Sequence, residues 1–438
     1  MVDEKVSGSG NPLRAAFIAV TTLFFAWGFI TAMIDPLIPS VRAIFNLSYT
    51  QSMLTQFAFF MSYGIVSLPG AALVARLGYG RSILVALIAM ILGCLFIPVA
   101  TSVQRYELVL VALFIIGSGI TVLQLAANPL AAALGPANRS HFRLTFSQAF
   151  NSLGTVIAPY LGSMLMLRGG VFESSGATGA ATAATAAAGR EASLHNIDTS
   201  FLWIAAMITL LALFIWRFSG RLNRSVPPPA PAHDSVLNAL QSRWALLGAA
   251  AIFLYVGAEV SIGSMMINFL HQKEVLNVPL DKAGQLVSLY WMGAMVGRFV
   301  GSALLTRFRA TALLGLAAAF AAALCLAVSQ GTGMMAAGCA IAVGLVNSIM
   351  FPTIFTITLE RTTASAAATS GFLCMAIIGG ALLPQVAGRI ADAAGLHTAF
   401  LIPMLAYAAI SVFAMAAAKA RVAGVGQVAG NAAGNVAH

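Results

Sequence analysis

Apolar stretches long enough to cross a bilayer as helices recur along this chain near 15–40, 52–75, 82–101, 107–134, 143–167 and 200–217, and again near 244–270, 284–306, 312–329, 334–359, 366–391 and 398–418. A hydrocarbon core ~30 Å thick takes about 20 helical residues. Twelve such stretches fix the class, because backbone groups that meet lipid must be satisfied inside the segment itself, and a helix does that. The expected product is an all-α membrane protein. Composition agrees: 60% of the 438 residues are hydrophobic and 8% are charged, against roughly 25% charge in a soluble globular chain.

The net charge of +10 does not point to nucleic acid, because the basic residues sit between apolar stretches. They set topology instead, since cytoplasmic loops retain Lys and Arg. With the N-terminus inside, 15 of the 23 Lys+Arg, among them Arg14, Arg76, Arg81, Arg139, Arg217, Arg243, Arg307 and Lys419, fall on the cytoplasmic side. Seven fall outside, and Arg298 lies within a span. Both termini are therefore expected in the cytoplasm. The divisions are a tail at 1–14, a six-helix bundle at 15–217, a Pro-rich linker at 218–243, a second six-helix bundle at 244–418 and a tail at 419–438. The first apolar stretch is too long for a signal-peptide core and is expected to be retained. The outer segment 168–199, with its low-complexity Gly-Ala-Thr-Gly-Ala-Ala-Thr, reads as a mobile loop without a chemical role.

The two sets of six are related. Gly70, Leu73 and Arg76 match Gly301, Leu304 and Arg307 at one constant offset, and Gln124 and Pro129 match Asn347 and Pro352 at another. Two parallel six-helix repeats about an axis along the membrane normal are the architecture of the major facilitator fold, with the substrate site between the halves near the midplane. Arg76 and Arg307, at matching cytoplasmic ends, are read as gating or structural residues.

An ionisable side chain deep in a span costs at least ~2.5–3.5 kcal/mol, so each one needs a reason. Asp35 lies about 30 Å along the first span, and Pro36 beside it is expected to interrupt the helix and free carbonyls. It reads as a site for H⁺ or, as an alternative, Na⁺. Glu259, about 24 Å into the seventh span, corresponds to it in the second repeat and reads as a sugar-hydroxyl acceptor or second cation ligand. Arg298, in the cytoplasmic half of the eighth span, reads as part of an inner gate. For each acid the competing reading is a helix-packing hydrogen bond.

The amides Gln124, Gln148, Asn151 and Asn347 lie in otherwise apolar helices and offer the paired donors and acceptors that suit hydroxyls. Asn128 and Asn268 read as helix-to-helix ties. Tyr255, one turn before Glu259 on the same helix face, is the aromatic best placed to meet a sugar. Trp27, Tyr63, Trp291 and Phe351 read mainly as packing or interface aromatics. Cys94, Cys325, Cys339 and Cys374 lie in apolar runs without metal or redox spacing, and the histidines lack ligand spacing. No phosphate-binding loop or nucleophile elbow occurs, so no enzyme activity, metal or cofactor is expected.

Phe24-Phe25-Ala26-Trp27-Gly28-Phe29-Ile30-Thr31 running into Asp35-Pro36-Leu37-Ile38-Pro39, Leu123-Gln124-Leu125-Ala126-Ala127-Asn128-Pro129, Gln148-Ala149-Phe150-Asn151-Ser152-Leu153-Gly154 and Phe351-Pro352-Thr353-Ile354-Phe355 resemble the fucose/proton symporter family of the major facilitator superfamily. Tyr255 to Ser264 resembles its glucose/galactose branch and the related animal sodium-dependent glucose transporters. The resemblance implies proton coupling at Asp35 and sugar contacts at Gln148 and Asn151. Where the fucose symporters carry a second essential Glu in the fourth span, this chain has Gln124. That departure implies an aldohexose rather than fucose, with Glu259 the candidate to take over the vacant role. The expectation is a monomeric symporter in a bacterial inner membrane that imports a hexose of glucose or galactose type on an H⁺ or Na⁺ gradient. An exporter of another small neutral molecule, an uncoupled facilitator and a sugar sensor are the competing functions.

Overall fold

The computed structural model describes residues 12–133, 140–174, 183–225, 236–305, 307–364 and 366–420. They are helical, with no strand among them. The first half comprises α1 (Pro12–Ala32), α2 (Ile34–Phe45), α3 (Tyr49–Ser52), α4 (Leu54–Ser102), α5 (Tyr106–Ala133), α6 (Ser140–Met166), α7 (Val171–Ser174) and α8 (Ala183–Ser225). The second comprises α9 (Arg243–His271), α10 (Leu280–Leu305), α11 (Ala310–Gln330), α12 (Gly333–Asn347), α13 (Met350–Arg361), α14 (Ala366–Met375), α15 (Gly379–Ala399) and α16 (Leu401–Lys419).

Nine stretches among the described residues are long and apolar enough to cross a membrane. One of them, Tyr49–Ser102, has 54 residues. It contains two helices joined at Gly78, whose φ of 74° and ψ of 172° suit glycine because a Cβ would be strained there. Helices α6 and α10 take their places in the order but are less apolar, because they carry Gln148 and Asn151 and Asp281 and Arg298 respectively. Large side chains point outward along the spans, including Trp203, Leu210, Trp216, Leu316, Leu405 and Val412. Such a surface is stable against lipid tails and would aggregate in water.

Each half packs through small residues. In the first, α1 lies on α6, and α4 on α5 and α8. A Cβ added at Gly28 would collide with the Asn151 carbonyl, and one at Gly154 with the Phe25 carbonyl and the Phe29 amide. Two glycines, one from each helix, thus let the α1 and α6 backbones nearly touch, as small residues do where no hydrophobic effect drives association. In the second half α9 packs on α13, α15 and α16, and α11 on α12 and α16.

Across the halves α6 meets α10, α4 meets α15 and α2 meets α9. At mid-depth a Cβ at Gly380 would press on Phe60, and one at Gly64 on Ile378. At the end that the charge pattern assigns to the outside, Asp392 accepts the Tyr49 N–H at 2.6 Å, the Thr50 N–H at 2.8 Å and the Thr50 hydroxyl at 2.6 Å. Arg168 pairs there with Asp281 at 3.1 Å. These contacts hold the two halves together at that end.

Two expectations change. The outer segment 168–199 is not a loop throughout, because α8 is helical from Ala183 onward and α7 precedes it. Alanine is the strongest helix former, so the Ala-rich start of α8 needs no amphipathic face to coil; the Gly-Ala-Thr-Gly-Ala-Ala-Thr run at 176–182 lies outside the described residues. The first span breaks at Met33, before the Asp-Pro pair, and α2 resumes at Ile34 with Asp35 and Pro36 in its first turn. Proline suits a helix's first turn, where its missing N–H costs least. The linker at 226–235 and the tails at 1–11 and 421–438 lie outside the described residues.

Candidate transport site

Asp35 is 4% exposed, and its Oδ2 accepts a hydrogen bond from the Trp291 indole Nε1–H at 3.0 Å. The carboxylate belongs to the first half and the indole to α10 of the second. Beside it, α9 presents Gly263, where an added Cβ would lie 3.7 Å from both carboxylate oxygens. Because Pro36 and Pro39 have no N–H, the carbonyls of Ala32 and Asp35 lose their i+4 partners. The freed carbonyls foreseen from sequence thus flank the acid, although the helix break falls one turn earlier than expected. Ser40 Oγ donates to the Pro36 carbonyl at 3.0 Å and so anchors this turn.

Tyr255, Glu259 and Gly263 form an i, i+4, i+8 line on α9. The Tyr255 hydroxyl donates to Glu259 Oε1 at 2.8 Å. Arg298 Nη1 donates to Ser152 Oγ on α6. Ser152 is one turn from Gln148, whose carbonyl it bonds at 3.2 Å. Polar groups from both halves therefore gather along this interface: Asp35, the Tyr255–Glu259 pair on α9, and Arg298 with Ser152 and Gln148.

The amides are held in differing ways. Gln124 donates to the Tyr63 hydroxyl. Gln148 reaches Asn128 Oδ1 at 3.4 Å, and Asn151 donates to the Phe24 carbonyl at 3.1 Å. All three are half-buried and keep unused donors or acceptors. Asn347 differs: it is fully buried and donates to the Tyr290 hydroxyl at 3.0 Å and the Tyr407 hydroxyl at 3.1 Å. It sits just before the break between α12 and α13, and in this conformation its side chain has no open face. Arg76 and Arg307 are exposed at helix ends, away from these polar groups.

Trp291 as the partner of Asp35, and Ser152 as the partner of Arg298, were not foreseen. For Gly263 a signal existed, since it follows Glu259 by four residues and shares its face. The four cysteines are unpaired, and Cys94 and Cys325 are buried.

The Major Facilitator Superfamily model matches residues 17–376. A protein of Brucella abortus named "Glucose/galactose transporter" is 43% identical over 92% of this chain and 94% of its own length. The "L-fucose-proton symporter" of Escherichia coli is 32% identical over 94% of this chain and 95% of its own. The crystal structure of the transporter FucP in the outward conformation superposes with a TM-score of 0.67 at 29% identity, covering 94% of this chain and all of that one. An inward-facing bacterial homologue of the lysosomal transporter Spinster shares the fold, with a TM-score of 0.70 at 16% identity over 94% of this chain. With helices of this order, length and apolarity, and with matches spanning nearly the whole chain, the protein belongs to the Major Facilitator Superfamily and, within it, to the family of the fucose–proton symporters and glucose/galactose transporters.

Proposed function

We propose that this chain is a proton-coupled symporter that imports a hexose of the glucose or galactose type across a bacterial inner membrane by alternating access. The observation that carries the reading is a buried carboxylate, Asp35, held at the seam between two halves that must move against each other. A group there exchanges its environment whenever the halves rock, which a coupling site requires. The names of the relatives favour a sugar as cargo and a proton as the coupling ion. With Gln124 in place of an acid, Asp35 and Glu259 are the carboxylates left to serve coupling.

Gln124, Gln148 and Asn151 offer amide groups to sugar hydroxyls from the first half. From the second half the half-buried Glu259 offers an acceptor, while Tyr255, fully buried, acts at one remove by donating to that carboxylate. Asn347 acts at one remove, by fixing Tyr290 and Tyr407. Arg298 bridges the halves below the sugar and serves as an inner gate. The protein works as a monomer.

The test is uptake of a panel of radiolabelled hexoses into proteoliposomes under an imposed pH gradient or an imposed Na⁺ gradient. Accumulation on the pH gradient alone, lost in Asp35→Asn while sugar exchange partly survives, is the expected result. Undiminished accumulation in Asp35→Asn, or accumulation that requires Na⁺, refutes the coupling role.

A further inference from the structure

We propose that Trp291 is a positioning residue that ties proton release from Asp35 to closure of the outer end, and this inference rests on the coupling role assigned to Asp35. Three observations carry it. First, the indole N–H reaches the carboxylate from the opposite half, so the 3.0 Å bond exists only while the halves meet here. Second, the position is specific: Gly263 leaves the space beside the carboxylate open, and the Trp291 ring is set edge-on against Tyr290, centroids 5.1 Å apart. Third, Tyr290 is itself pinned by Asn347, which fixes where the indole can point.

Indole Nε1 is a donor only, and a hydrogen bond donated to a carboxylate is stronger than one donated to a neutral acid. When the outer end closes, the arriving N–H favours the charged form of Asp35, and the acid gives its proton to water. Only the carboxyl O–H bond breaks, and the indole keeps its own proton. When the outer end opens, α10 carries the donor away, and a carboxylate left in apolar surroundings binds a proton again. One side chain thereby reads the state of the gate and sets the charge of the coupling site.

Among the described residues the other charges near α2 are otherwise engaged. Glu259 on α9, one turn from Gly263, accepts from the Tyr255 hydroxyl. Arg42 lies over the Tyr49 ring and Arg190 over Phe45. Asp198 accepts from Thr101, and Asp281 pairs with Arg168. Among the described residues the side-chain donor recorded on the Asp35 carboxylate is the indole.

The experiment is Trp291→Phe, which keeps an aromatic, though smaller, side chain and removes the N–H. In proteoliposomes with a fixed outer pH and a varied inner pH, the profile of proton-driven sugar accumulation is expected to move about one unit alkaline, with gradient-free exchange reduced less than accumulation. An unchanged profile, or accumulation and exchange falling together, overturns the role. Should the variant fail to fold, the unsubstituted protein gives the answer. Its tryptophan emission is expected to shift with pH in a way that Asp35→Asn removes, and emission indifferent to pH, or a shift retained in Asp35→Asn, overturns the proposal. If Asp35→Asn itself still accumulates sugar, the coupling reading fails. If it does not, while Trp291→Phe keeps the original profile, only the part given to Trp291 fails.

Discussion

Replacing Asp392 with Ala is expected to unlatch the outer end. The carboxylate ties α15 to the start of α3 through three hydrogen bonds of 2.6 to 2.8 Å, two of them from backbone amides. Hydrogen bonds to a charged group contribute ~1.5–3 kcal/mol each when shielded. These are exposed, and water replaces each lost bond when the halves part, so ~2 kcal/mol for the set is a fair total. That corresponds to a roughly 30-fold shift of the equilibrium towards the outward-open form. The assay is double electron–electron resonance between spin labels at Ser102 and Lys273, which are exposed on the outer ends of the two halves. The long-distance population is expected to grow strongly in Asp392→Ala and less in Asp392→Asn, which keeps one acceptor oxygen for a backbone amide but loses the charge and the second acceptor. A distance distribution identical to that of the parent would refute the view that this carboxylate latches the gate.

Three further outcomes are expected. Gly154→Leu forces α6 away from α1 and should lower the detergent melting temperature by several degrees, in line with the ~1–3 kcal/mol or more of overpacking. Asn347→Ala leaves the Tyr290 and Tyr407 hydroxyls without their shared donor, at a cost of ~1–3 kcal/mol; thermal unfolding should report it, with sugar affinity changed less than stability. Tyr255→Phe removes the donor to Glu259 and should weaken sugar binding about tenfold, a loss near ~1.4 kcal/mol; isothermal calorimetry with an unchanged dissociation constant would argue that the pair only braces α9.

Span positions and the relation between the halves were legible because a bilayer imposes a helix length and a repeat preserves its glycines, as Gly70 and Gly301 do. Asp35 and Glu259 stood out because a charge in an apolar run is costly and needs a reason, structural or functional. Their partners were not legible. Trp291 is 256 residues from Asp35 in sequence, and an aromatic in a span reads first as an interface anchor. Ser152 carries no signal at all, since a serine in a helix commonly bonds its own backbone. Asn347 looked like Gln124 by repeat position, yet two tyrosines from other helices enclose it, and only packing decides that. The stretch from Ala183 to 199 misled for a simpler reason: it was read together with the low-complexity residues before it as loop, while its alanines favour helix.

That tract has a practical consequence. Helix α8 runs unbroken for 43 residues, or about 64 Å, twice what the hydrocarbon core requires, so one rigid rod stands proud of the membrane. A small folded protein fused in helical register at its outer end would inherit that rigidity. It would give this otherwise featureless transporter an orientation mark for electron cryomicroscopy, without touching either moving interface.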